Sequence, residues 1–108
     1  MSDVDYNSRL HEKMELEQKI YRIWLLEQTP EEILNHTYEY TMREDIVMLM
    51  GELKLEPEKA KALLCSPCPL GDVYKNFSKK DAGYLDLIRD SIEEEADKSF
   101  WRWRESEN

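Results

Sequence analysis

Thr29-Pro30-Glu31-Glu32-Ile33-Leu34 is the stretch on which the fold turns. The Thr29 hydroxyl can accept from a free amide at the start of a helix, and Glu32 stands three residues on, the spacing of a capping box. Pro30 falls at the first helical position, where an amide would have no intrahelical partner and its absence costs nothing. Downstream, Ile33, Leu34, Tyr38, Met42, Ile46 and Leu49 recur at three- and four-residue steps. That period predicts a helix from Pro30 to about Met50, weakened or ended by Gly51. Upstream, Leu10, Met14, Ile20, Ile23 and Trp24 repeat at helical spacing, with Glu12, Lys13, Glu17 and Lys19 between them. They predict a first helix from about Asp3 to Glu27. Glu15 and Lys19 make a favourably oriented i, i+4 pair, worth only about 0.3 kcal/mol.

Toward the C-terminus, Glu56-Pro57-Glu58 restarts a helix with acids at its positive end, and Ala60, Leu63 and Leu64 supply a short apolar stripe. Cys65-Ser66-Pro67-Cys68-Pro69 breaks it, because prolines at 67 and 69 do not fit inside a helix. Pro69 then opens a short helix carrying Val73, Tyr74 and Phe77. The last long helix runs from about Lys80 to the late nineties. Leu85, Ile88, Ile92, Ala96 and Phe100 line one side, and Asp86, Asp90, Glu93, Glu94 and Asp97 the other. With 108 residues, three glycines and four prolines, turns are few. The reading is all-α: a compact bundle of three long and two short helices in one domain, 1–108. The tail, 98–108, holds Phe100-Trp101-Arg102-Trp103-Arg104, which fits a short strand, a helical continuation or a docking strip. The plainer alternative, that Trp101 or Trp103 closes the core, is the usual fate of large aromatics.

Net charge is −9 and unevenly spread. From Glu27 to Glu58 nine acids face Arg43 and Lys54, a net of −7; from Asp81 to Asp97 seven acids face Arg89, a net of −6. Between them, Lys59 to Lys80 carries five lysines against Asp72, a net of +4. Phosphate backbones repel the acidic segments, so direct nucleic-acid binding is disfavoured and a basic protein surface is the better partner. The chain has no apolar run of membrane-spanning length. Its start, Met1-Ser2-Asp3-Val4-Asp5, lacks the basic-then-apolar order of a signal peptide, which implies a cytoplasmic protein. Thiols stay reduced there unless they serve metal or redox chemistry.

Cys65-x-x-Cys68 is the motif with a plausible chemistry. Its spacing lets two sulfurs meet one ion, so it can be half of a zinc site, with His36 or His11 as further ligands arriving from other helices. The same residues resemble the Cys-x-Pro-Cys of disulfide oxidoreductases, but no strand–turn–helix unit precedes them. Two ordinary half-buried thiols at a helix–helix corner is the plainer reading and the one the context favours. His36 and Glu39 form an i, i+3 pair of the di-iron kind, yet such bundles need that pair twice. No Gly-rich phosphate loop is present. No constellation here reads as an enzyme active site.

Several blocks together resemble a small uncharacterised domain family associated with conjugative elements of Gram-positive bacteria. They are Trp24-Leu25-Leu26, Ile33-Leu34-Asn35-His36, Tyr38-Glu39-Tyr40-Thr41, Arg43-Glu44-Asp45-Ile46, Ser66-Pro67-Cys68-Pro69-Leu70, Val73-Tyr74 and Ile88-Arg89-Asp90. They cover roughly residues 10–97. The resemblance implies a mobile-element setting and assigns no catalytic residue. Small acidic proteins of such elements are similar in kind to anti-CRISPR and antirestriction inhibitors, an analogy of class. The expectation is an inhibitor that sets Asp86, Asp90, Glu93, Glu94 and Asp97 against the basic cleft of a CRISPR or restriction nuclease. Glu39, Glu44 and Asp45, with Glu31 and Glu32, would be a second patch. The alternative is a helical interaction module of a mobile element, possible with or without zinc at Cys65 and Cys68.

Overall fold

The computed structural model describes residues 4–80 and 82–107. Its elements are α1 (Tyr6–Leu26), α2 (Pro30–Asn35), α3 (Thr37–Glu52), α4 (Pro57–Leu64), α5 (Pro69–Lys80) and α6 (Ala82–Ser106). Among the described residues there is no strand, and the chain is all-α. Where the sequence predicts five helices in one bundle, six lie among the described residues. The chain divides between Asn76 and Phe77, within α5, into two compact units.

The first unit is organised by α1. Asp5 caps it: Ser8 donates its backbone N–H to Oδ1 at 3.1 Å and its hydroxyl to Oδ2 at 2.7 Å. The bond from the Ser8 hydroxyl, more than any other influence, holds the Asp5 carboxyl below its usual range. The cap also places the start of the helix at Tyr6, three residues later than the apolar period suggests. Leu10 and Met14 are buried with Met50, Ala60 and Leu70, and Tyr6, Ile46, Leu55, Leu63 and Val73 pack around them. Fully burying side chains of this size contributes roughly 1.5–3 kcal/mol each, and this cluster is the main source of the unit's stability.

The buried face of α1 is not the expected one. Leu10, Met14, Gln18 and Leu25 face inward, while Ile20 and Ile23 are 59% and 56% exposed. Gln18 accounts for the turn of the helix: its Nε2 donates to Tyr40 O at 3.2 Å and Glu44 Oε1 at 2.9 Å, locking α1 on α3. Glu15, expected to pair with Lys19, instead lies 3.4 Å from His11 Nδ1.

The long helix expected after Thr29 is two helices. Thr29 and Pro30 behave as expected, with Glu32 N donating to Thr29 Oγ1 at 3.2 Å. The backbone leaves the helix at His36, whose φ and ψ are −106° and 5°. Asn35-His36-Thr37 are weak helix formers, and the Thr37 hydroxyl donates to Ile33 O at 2.9 Å, a back-bond that bends helices. The His36 ring packs edge-on to Trp24, 5.3 Å between centroids. Gly51 does not end α3, which runs on to Glu52. A Cβ at Gly51 would stand 3.1 Å from His11 Nε2, so the glycine makes room for the crossing of α1. The link to α4 is held by Asn7, which donates Nδ2–H to Leu55 O and accepts from Leu55 N, both at 2.9 Å.

In the second unit α6 continues through the Trp-Arg tail to Ser106. Trp101 and Trp103 are 60% and 56% exposed and do not close a core. Phe100 meets both rings, at 5.4 Å and 6.3 Å between centroids. No described side chain of this unit is buried.

Candidate functional site

The Cys65–Cys68 motif forms the corner between α4 and α5. Cys65 closes α4, and Cys68 occupies the capping position of α5, its carbonyl accepting from Asp72 N at 3.0 Å. Both thiols are free and exposed, not half-buried as the plainer reading of the sequence has them. Within the corner, Cys68 N donates to Ser66 Oγ at 3.1 Å, the Ser66 hydroxyl donates to Asp72 Oδ2, and Cys68 Sγ lies 3.7 Å from Asp72 Oδ1.

Two side chains of α1, one turn apart, grip the corner from either flank. Lys13 Nζ donates to Leu64 O at 2.9 Å and to Ser66 O at 2.6 Å, satisfying carbonyls at the negative end of α4. Glu17 accepts from Leu70 N and Gly71 N, each at 2.9 Å, taking the first amides of α5 into one carboxylate. Each charge therefore sits at the helix end of opposite sign. Gly71 suits this closeness, since a Cβ there would stand 3.3 Å from Glu17 Oε2, tighter than an ordinary contact.

Behind Glu17 lies a half-buried ion cluster. Arg43 is 3.7 Å from Glu17 Oε2 and 2.8 Å from Glu39 Oε2, with 14% of its side chain exposed. Its guanidinium lies 4.4 Å above the centre of the Tyr21 ring and 5.8 Å from that of Tyr74. Burial, aided by the Glu39 charge, pushes the Tyr21 phenol above its ordinary range. The Arg43 charge is matched by two carboxylates and a ring face, as in a structural core network, while the buried Tyr21 hydroxyl has no hydrogen-bond partner among the described residues.

These contacts redistribute the residues singled out in the sequence. Glu39 is bound to Arg43 and is not part of an acidic surface. Glu44 is exposed but accepts from Gln18, and Asp45 is exposed and projects elsewhere on α3, since residues 39, 44 and 45 point in three directions around a helix. The second acidic patch is thus not one surface. Glu31 and Glu32 are exposed on α2, with Glu32 3.7 Å from His36 Nε2. His36, the candidate third metal ligand, lies between Glu32 and Glu39 against Trp24. Among the described residues no three His, Cys, Asp or Glu side chains converge to hold a metal ion. A groove of about 310 Å³, lined by Met14, Ile46, Leu49, Met50, Leu63 and Val73 among others, is almost wholly apolar and presents no acid, base or nucleophile.

The acidic set of α6 does share a face. Asp86, Asp90, Glu93, Glu94 and Asp97 are spaced i, i+4, i+7, i+8 and i+11, which places them along one side. All five are exposed. Arg89 pairs with Asp86 at 3.2 Å and Lys98 with Glu94 at 3.3 Å. Asp90, Glu93 and Asp97 have no ion pair among the described residues. Leu85, Ile88, Ile92, Phe100 and Trp103 are exposed on the adjacent side.

Sequence reasoning missed Lys13, Glu17, Arg43 and Ser66. The nearest signal was the four-residue spacing of Lys13 and Glu17, which on its own reads as an ordinary solvent-facing pair. No helix of the structure is long and apolar enough, among the described residues, to cross a membrane.

Fold and site together define a small all-α protein whose first unit is tied through helix ends and whose second presents a line of carboxylates. The chain belongs to the family described as "Protein of unknown function (DUF3848)", whose profile matches residues 6–100. No curated protein and no solved structure matches the chain.

Proposed function

We propose that the protein is a non-catalytic inhibitor of the anti-defence kind, which binds a basic surface of a CRISPR or restriction nuclease and blocks nucleic-acid loading or cleavage. The reading is carried by the face of α6: five exposed carboxylates in line, three of them without a cation beside them among the described residues. Such a row competes with a polyanion for a cationic groove, and its long-range field speeds encounter. The likeness to mobile-element domains supplies the setting.

The test is charge reversal of Asp86, Asp90, Glu93, Glu94 and Asp97 to lysine, assayed against purified CRISPR and restriction nucleases. A nuclease inhibited by the parent protein should escape the variant, helicity should be retained, and inhibition by the parent should weaken as salt rises. Full inhibition by the reversed protein would reject the electrostatic mechanism.

A second reading, a helical interaction module of a mobile element, is favoured by the exposed apolar side of α6. Removal of residues 99–108 separates the two. Loss of partner binding with the fold intact supports the module, and retention supports the acidic face.

A further inference from the structure

The α4–α5 corner carries chemistry that the acidic-face reading leaves unused. We propose that Cys65 and Cys68 form a two-coordinate site for a soft monovalent cation of the Cu(I) kind, held as a bis-thiolate on the surface of the first unit.

Cysteine sulfurs are soft ligands that select Cu(I) over hard ions, and a two-residue interval lets both reach one ion. Both thiols are free and exposed, so neither has to leave a packed environment to turn toward a shared metal. Asp72 Oδ1 lies 3.7 Å from Cys68 Sγ, but no three ligating side chains converge here among the described residues, which leaves a tetrahedral zinc site incomplete in one chain. A linear Cu(I) site needs only two. The turn that carries the sulfurs is fixed before any metal arrives, by Lys13 on the α4 side, Glu17 on the α5 side and the Cys68 N–H to Ser66 bond between them. Pre-organised ligands lose less entropy on binding.

On binding, each S–H releases its proton to solvent, two Cu–S bonds form and the copper stays Cu(I), so no electron is transferred. One cation between two thiolates leaves a single negative charge. Charges of both signs flank the motif: the Lys13 ammonium is bonded to the Ser66 carbonyl in its middle, and the Asp72 carboxylate lies 3.7 Å from Cys68 Sγ. Exposure of both sulfurs leaves the ion open to attack by an incoming thiol, so the site suits holding and passing on an ion.

The proposal is independent of any inhibitory role. The reduced full-length chain, without oxygen, would be titrated into Cu(I) bicinchoninate, whose visible absorbance reports the copper left on the chelator. The expected result is removal of one equivalent of copper per chain with no change in molecular size. Cys65→Ser and Cys68→Ser should each lose that capacity with the far-ultraviolet dichroism unchanged. A tenfold excess of Zn(II) should not restore the chelator signal. Three results would each overturn the site: no copper removed by the parent chain, equal removal by the double serine variant, or half an equivalent per chain with chains pairing.

Discussion

Helices α1 and α6 are both long, 21 and 25 residues, and both carry many charges, yet they stand in opposite relation to what surrounds them. Along α1 the polar side chains point at other backbone: Asn7 at Leu55, Lys13 at Leu64 and Ser66, Glu17 at Leu70 and Gly71, Gln18 at Tyr40. Along α6 they point at one another or at solvent, in pairs such as Glu95–Arg102 at 2.8 Å. Exposed pairs of that kind contribute about 0.2–1 kcal/mol each. Charges bonded to half-buried helix ends contribute more, because removing one strands amides or carbonyls that water does not readily reach. Similar compositions thus serve two ends. In α1 charge builds the fold, and in α6 it is left available.

The contrast breaks or sharpens under mutation. The largest effect belongs to Leu10→Ala, which empties the centre of the first core. Chemical denaturation should show a loss of about 3 kcal/mol, and a loss under 1 kcal/mol would mean that this cluster does not anchor the unit. Next comes Glu17→Ala, which abandons two α5 amides and one neighbour of Arg43. About 2–3 kcal/mol should be lost, with Glu17→Gln between it and the parent because an amide oxygen still accepts. Amide exchange at Leu70 and Gly71 should rise first; unchanged protection there would refute the clamp. The smallest effect is expected in α6, where Glu93→Lys should move stability by no more than about 0.5 kcal/mol. A shift comparable to that of Glu17→Ala would erase the distinction between the two helices.

Much of the fold was legible from local signals. Thr29-Pro30, Pro57 and Pro69 each mark a helix start, because proline at that place and a hydroxyl cap act within a single turn. The break at His36 was not legible, since it has no glycine or proline and depends on a threonine back-bond and on Trp24, twelve residues earlier, which only folding brings against the His36 ring. The inward face of α1 was misjudged for a similar reason. Ile20 and Ile23 are more hydrophobic than Gln18, but Gln18 reaches a carbonyl and a carboxylate on α3, and tertiary bonding overrode the apolar pattern. For the site, the line of acids on α6 could be counted off from spacing alone. The engagement of Glu39 could not, because Arg43 reads equally well as a solvent-facing partner until Tyr21 and Glu17 are placed around it.

The reach of the α1 contacts has a consequence for synthesis. Asn7, Lys13 and Glu17 bond to residues 48 to 54 positions later in the chain. As the nascent polypeptide leaves the ribosome, α1 emerges with its ammonium and carboxylate still hydrated, and it gains its partners only after the opening turn of α5 has followed. Native assembly of this unit therefore waits on the closing of one long loop.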